Sequence, residues 1–115
     1  MSDKLNAIII DDERMARQEL LRLLKAFPHI EVVAQAADID EGLAQIEQHN
    51  IDVIFLDIEM PGGTGISLAE KLEGQYPIVF CTAYDEFAVD AFKLNAVDYL
   101  VKPIVPQRLD AAISR

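Results

Sequence analysis

The segment Ala7-Ile8-Ile9-Ile10-Asp11-Asp12-Glu13 sets four consecutive apolar residues against three consecutive acids. An apolar run without alternation reads as a strand buried on both faces, as in a parallel sheet covered by helices on each side. Working outward, runs rich in β-branched and other apolar residues predict strands over residues 5–10, 30–35, 52–56, 78–81 and 97–101. Between them the apolar period lengthens to three and four. Ala16, Leu20, Leu23, Leu24 and Phe27 mark a helix over 14–27, ended by Pro28. Leu43 and Ile46 mark one over about 40–49, with Asn50 suited to a left-handed cap. Ile66, Leu68, Ala69 and Leu72 mark a third over 65–73, stopped by Gly74, and a fourth is expected over 86–94 with Asp85 as its N-cap. The fifth starts at Pro106 and carries Leu109, Ala112 and Ile113.

Five strands alternating with five helices imply an α/β fold, because parallel neighbours need right-handed crossover connections. The expected architecture is a doubly wound, flavodoxin-like, five-stranded parallel sheet in the order 2-1-3-4-5. In such sheets sites form beyond the carboxyl ends of the strands, near the point where strand order reverses.

Composition narrows the function. A length of 115 residues gives one domain, with no repeat or linker to divide it. Twenty acids against ten bases leave a net charge of −10, yet 51% of residues are hydrophobic. That excludes a disordered acidic tail, and it excludes a domain gripping nucleic acid through basic phosphate contacts. No apolar run approaches the ~20 residues of a membrane span, and Met1-Ser2-Asp3-Lys4 lacks the basic and apolar segments of a secretory signal. Cys81 is the only cysteine, so no internal disulfide forms and a reducing cytoplasm is expected. Most of the remaining acids read as solvated helix faces.

The strand ends carry the chemistry. Strand one leads into Asp11-Asp12-Glu13, strand three (Val53-Ile54-Phe55-Leu56) into Asp57, strand four into Thr82-Ala83 and strand five into Lys102-Pro103. In the expected order these groups converge. Two carboxylates about 4 Å apart repel by ~4 kcal/mol at an effective dielectric of 20, so the cluster calls for a cation. Hard oxygen ligands without thiolate or imidazole suit Mg²⁺. Lys102 offers a point charge and Thr82 a hydroxyl donor, both matched to phosphoryl oxygens. Together they are the equipment for phosphoryl transfer onto a carboxylate.

This constellation resembles the receiver domain of two-component response regulators, a CheY-like fold. The matching segments are Ile8 to Glu13, Asp57-Ile58-Glu59-Met60-Pro61 with Gly65 closing that loop, Thr82-Ala83, and Tyr99-Leu100-Val101-Lys102-Pro103. They span nearly the whole chain in receiver order and spacing, so residues 1–115 are expected to be one receiver domain. The stretch Phe80-Cys81-Thr82-Ala83-Tyr84-Asp85-Glu86-Phe87-Ala88-Val89-Asp90-Ala91-Phe92, continuing to Asn95-Ala96-Val97-Asp98-Tyr99-Leu100, is similar to receivers that precede a LytTR DNA-binding domain. No such effector domain lies within these 115 residues, and the last helix is still apolar-periodic where they stop.

The resemblance implies that Asp57 is the phosphoacceptor, taking a phosphoryl group from a phosphohistidine of a sensor histidine kinase. It implies that Asp12, Asp57 and the backbone carbonyl of Glu59 bind Mg²⁺, with Asp11 acting through a metal-bound water. Thr82 and the Ala83 amide hold the phosphoryl group, and Lys102 pairs with it. The Lys102–Pro103 bond matches the family's cis peptide. Thr82 and Tyr99 are the switch residues, passing the change to the surface of helix four, strand five and helix five, and so to a homodimer partner or an effector. Tyr84 is bulky enough to shield the phosphorus from water, and Glu59 adds acid near its approach. The basic residues Arg14, Arg17, Arg22 and Lys25 of the first helix read as a solvated face or as a docking surface for the kinase.

The expected output is transcription regulation through the unseen effector, with no direct nucleic acid binding, no membrane contact and no turnover of a separate metabolite by this domain. Three rivals remain. A Mg²⁺-dependent phosphohydrolase with an aspartyl-phosphate intermediate would place a second acid two residues after the nucleophile, which Asp57-Ile58-Glu59 only approximates. A flavin-binding electron carrier of the same fold would need phosphate-binding hydroxyls and amides where Asp11-Asp12-Glu13 stands. A receiver used only for protein contacts would not need the full set of acids, threonine and lysine.

Overall fold

The computed structural model describes residues 4–60, 63–72 and 74–114. The main strands are β1 (Leu5–Ile10), β2 (Ile30–Ala36), β3 (Val53–Leu56), β6 (Ile78–Thr82) and β7 (Asp98–Val101); the short β4 (Glu59–Met60) and β5 (Gly63–Thr64) form a separate antiparallel ribbon. The main sheet is parallel throughout, in the order β2-β1-β3-β6-β7, which is the expected 2-1-3-4-5 when the ribbon is left out of the count. Helices α1 (Arg14–Leu24), α2 (Ile39–Gln48), α3 (Gly65–Leu72), α4 (Ala88–Lys93) and α5 (Pro106–Ile113) make the crossovers.

Strand periodicity divides the core into two layers. Ile8, Ile10, Ile54, Leu56, Ile78 and Phe80 turn to one face and meet Ile39 and Ile46 of α2, Leu68, Ala69 and Leu72 of α3, and Ala91 of α4. Ala7, Ile9, Phe55, Val79, Cys81 and Leu100 turn to the other and meet Leu20 and Leu24 of α1 and Leu109 and Ala112 of α5. Both faces are covered, which is why the strand sequences show no polar alternation. Cys81 is buried in this second layer as a small apolar residue, and burial pushes its thiol well above the usual range.

Three local expectations are corrected. Helix α1 stops at Leu24, and the chain turns through Phe27, whose N–H donates to the Leu24 carbonyl at 2.9 Å. Pro28 disfavours helical geometry in the residue before it, so the last turn unwinds. The left-handed cap is Asn95 (φ 60°) after α4; at the end of α2 His49 is extended, and Asn50 uses its carbonyl to accept from Asn6 Nδ2. Asp85 does not cap α4 with its carboxylate; its backbone carbonyl accepts from Ala88, and Phe87 occupies the N-cap position. The capping carboxylate belongs instead to Asp38, which accepts from the Glu41 N–H at 2.7 Å while Glu41 reaches back to the Ala37 N–H. The spacing is the D-x-x-E of a helix start, with Glu41 accepting from the residue before the cap instead of from Asp38 itself. Met1, Ser2, Asp3 and Pro61, named above, lie outside the described residues, as does residue 73 at the expected end of the third helix.

Candidate functional site

Backbone pairing continues one step past each central strand and sets the polar residues in a row. Asp11 donates its N–H to Ala36, Asp57 to Ile10, and Lys102 to Thr82, at 3.0, 2.9 and 2.7 Å. Each hydrogen bond ties one site residue to the neighbouring strand. Asp11 and Asp57 thus end adjacent parallel strands, with Thr82 and Lys102 on the next two. Buried apolar side chains lie directly beneath them, so Asp11, Asp57 and Thr82 are themselves only 5%, 6% and 0% exposed.

The turn after β3 depends on one glycine. Gly65 donates to the Ile58 carbonyl at 2.7 Å, and a Cβ on it would stand 2.1 Å from the Asp57 carbonyl oxygen. Only a residue without a side chain allows α3 to begin this close to the Asp57 backbone. The Ile58 N–H in turn donates to Asp57 Oδ1 at 2.7 Å.

Three acids meet here. One carboxylate oxygen from each of Asp11, Asp12 and Asp57 lies within 4.8 Å of the others, Asp12 being the exposed member. Charges at that separation repel by on the order of 3 kcal/mol per pair at an effective dielectric of 20. Lys102 offsets part of this: its Nζ donates to Asp11 Oδ2 at 2.7 Å and to Asp57 Oδ2 at 3.4 Å. Burial, and after it the charge of Asp11, hold the Asp57 carboxyl above the ordinary aspartate range, against the lowering effect of Lys102, the Ile58 amide and Thr82. The ammonium lies nearer Asp11, so Asp57 is ion-paired and still raised. For Lys102 burial disfavours the charge, but the Asp11 hydrogen bond and the two carboxylate charges outweigh it, and the ammonium is stabilised.

Asp12, Glu13, Asp57, Glu59, Ala83, Tyr84 and Lys102 line an open pocket of about 330 Å³ over this cluster. The donor set is all carboxylate oxygen with a lysine beside it, which fits a hard divalent cation such as Mg²⁺ and leaves room for further oxygen ligands. Glu59 lies in β4, opposite Thr64 of β5, and is exposed.

Thr82 and Tyr99 are joined through Tyr84. The Thr82 hydroxyl accepts from the Tyr84 N–H at 3.3 Å, and the Tyr99 hydroxyl donates to the Tyr84 carbonyl. The Tyr99 ring leans on Phe80, centroids 6.1 Å apart, and its partial burial raises the phenol. Tyr84 itself packs edge-on against Phe87. The Lys102–Pro103 peptide is cis, as the resemblance implied.

Asp11, Asp12, Asp57, Glu59, Thr82, Ala83, Tyr84 and Lys102, singled out in the sequence, therefore fall at this end of the sheet, with Tyr99 reaching it through Tyr84. Two contributions escaped the sequence reading. One is the β4–β5 ribbon, two residues on each side and too short for any periodicity. The other is Arg17, read as part of a solvated face, whose Nη1 donates to the Asp11 carbonyl at 2.7 Å. Arg22 keeps to the surface, paired with Glu19 at 2.6 Å. Among the described residues no helix is long and apolar enough to cross a membrane.

Comparison with known proteins agrees with this geometry. The family model of the response regulator receiver domain matches residues 7–114. A response regulatory protein of Vibrio cholerae is 48% identical over 113 residues, covering 96% of this chain and 48% of the relative. The sensory transduction protein LytR of Staphylococcus epidermidis is 40% identical over 114 residues, covering 96% of this chain and 45% of that protein. The crystal structure of the response regulatory domain of mrkE from Klebsiella pneumoniae superposes with a TM-score of 0.87 at 36% identity, covering 96% of this chain and 93% of that one. The chain spans about half the length of the curated relatives it matches. With a parallel sheet in the order β2-β1-β3-β6-β7, acids ending its central strands and a family match over nearly its whole length, the chain belongs to the response regulator receiver domains of two-component systems.

Proposed function

We propose that Asp57 is the phosphoacceptor of this receiver, taking its phosphoryl group from a phosphohistidine of a sensor histidine kinase. The observation that carries this reading is a buried carboxylate at a strand end with Lys102 3.4 Å away and two further acids within 4.8 Å. An Asp57 carboxylate oxygen forms the new O–P bond as the N–P bond breaks, and the imidazole leaves with the electron pair of that bond. Asp12, Asp57 and the Glu59 carbonyl would hold Mg²⁺, with Asp11 acting through a water. Bound there, the ion supplies positive charge against the acids and the phosphoryl oxygens. Lys102, already between Asp11 and Asp57, pairs with the phosphoryl group, and the Thr82 hydroxyl and Ala83 amide hold its oxygens.

Engaging Thr82 in this way releases its hold on the Tyr84 N–H, and Tyr99 answers through the Tyr84 carbonyl. The change biases two states of the α4–β7–α5 surface. That surface exposes Val89, Phe92 and Val101, with Phe92 82% exposed, which supports pairing with a second copy of the chain when phosphorylated. Similarity to LytR supports a transcriptional output carried by a LytTR-type DNA-binding domain outside these residues. The domain works in the cytoplasm, and its chemistry is confined to gaining and losing its own phosphoryl group.

Borohydride reduction of the phosphorylated protein, followed by peptide mapping, tests the assignment. The reading predicts reductive conversion of Asp57 alone; conversion at Asp11, Asp12 or Glu59 instead overturns it.

A further inference from the structure

Arg17 breaks a local rule. It is the fourth residue of α1, in a helix start that holds no acid and whose N-cap residue, Glu13, makes no side-chain capping bond. The positive end of the helix dipole disfavours a cation there. The guanidinium nevertheless turns back along the helix, and its Nη1 donates to the Asp11 backbone carbonyl at 2.7 Å in a partly buried setting.

That carbonyl belongs to a residue tied from four directions. Asp11 donates its N–H to Ala36 at 3.0 Å, accepts from the Glu13 N–H at 2.9 Å on Oδ1 and from Lys102 at 2.7 Å on Oδ2, and accepts from Arg17 on its carbonyl. The Lys102 tie is the one that changes when Lys102 turns to a phosphoryl group. The Arg17 tie involves no ligating atom and can persist in both states.

We propose that Arg17 is a positioning residue for the acid cluster: by holding the Asp11 carbonyl it fixes residues 11–13 so that Asp11 and Asp12 stand with Asp57 ready for a divalent cation. The proposal rests on reading that cluster as a metal site. As a bare charge Arg17 repels a cation, so its removal tightens metal binding; as a positioning group its removal weakens it.

Isothermal titration of the 115-residue chain with Mg²⁺ separates the two, using wild type, Arg17→Ala, Arg17→Lys and the control Arg14→Ala. Arg14 is an exposed cation of the same helix start. The expected result is Mg²⁺ binding about tenfold weaker in Arg17→Ala, the scale of one hydrogen bond to a charged group. Arg17→Lys recovers part of the loss, and Arg14→Ala binds as tightly as wild type or tighter. Binding by Arg17→Ala that is unchanged or tighter, or an equal loss in Arg14→Ala, overturns the proposal. If circular dichroism shows Arg17→Ala unfolded, Arg17→Met keeps the aliphatic stem without the donor and is held to the same two outcomes. A wild type that takes up no Mg²⁺ overturns the metal reading together with this proposal, whereas wild-type binding left intact in Arg17→Ala overturns this proposal alone.

Discussion

Lys102 Nζ lies 2.7 Å from Asp11 Oδ2, closer than its 3.4 Å approach to Asp57 Oδ2. The lysine thus rests mainly on Asp11 and stands beside Asp57, the proposed phosphoacceptor. Removing one partner of a buried ion pair costs about 3–5 kcal/mol, and partial exposure of this site reduces the expected loss for Lys102→Met to about 1–3 kcal/mol. A divalent cation takes over the neutralising role, so the loss is large in EDTA and shrinks in excess Mg²⁺. Thermal melts in the two buffers check this; a variant that melts with the wild type in EDTA contradicts it.

The raised carboxyl of Asp57 sets a pH dependence. Its folded-state value lies above the unfolded one, mainly through burial and then through Asp11. The folded state therefore binds the proton more readily, and stability falls as pH rises from the ordinary aspartate range through the folded value. At neutral pH without metal, Asp57→Asn should melt above the wild type. The gap closes as pH drops toward the ordinary aspartate range. Lys102 is also raised, so its contribution is fully present at neutral pH and is lost only at alkaline pH. A wild type as stable as Asp57→Asn in EDTA at neutral pH is the opposing result.

Gly65→Ala forces a Cβ to within 2.1 Å of the Asp57 carbonyl oxygen unless the backbone moves. The expected loss is about 3 kcal/mol, at the upper end of overpacking effects. Because the strained atom belongs to Asp57, the rate of phosphorylation by acetyl phosphate falls as well, even well below the variant's melting temperature. Denaturant unfolding together with that rate decides it. A variant destabilised but phosphorylated at the wild-type rate separates the turn from the site.

Tyr84 lines the pocket with its ring braced on Phe87, in position to cover a phosphoryl group on Asp57. Tyr84→Ala opens that side to water. Dephosphorylation of the isolated phosphoprotein should quicken by about threefold, or ~0.7 kcal/mol in the barrier. An unchanged lifetime rules out shielding by this ring.

Much of this was legible in the sequence because burial on both sheet faces leaves uninterrupted apolar runs, and a polar residue directly after one marks a strand end. Asp11, Asp57, Thr82 and Lys102 were placed by that rule, and the role of Gly65 by the resemblance to receiver domains. What escaped depends on geometry without a periodic trace. The β4–β5 ribbon is two residues deep, and the shift in the β1–β2 register between Ala7 and Ile8 leaves no mark in composition. Asp85 and Asn50 have the right chemistry for caps but sit where the backbone does not need them, whereas Asp38 and Asn95 do that work. Arg17 was hidden because a cation on a helix surface is ordinary; its position in the first turns, against the helix dipole, was the available clue.

The central claim is that this receiver is phosphorylated on Asp57 with the help of a divalent cation. Intact mass after incubation with acetyl phosphate and Mg²⁺, for the wild type and Asp57→Asn, tests it most directly. The account predicts a single phosphoryl adduct on the wild type that disappears in EDTA and is missing from Asp57→Asn. An adduct as abundant on Asp57→Asn as on the wild type contradicts it.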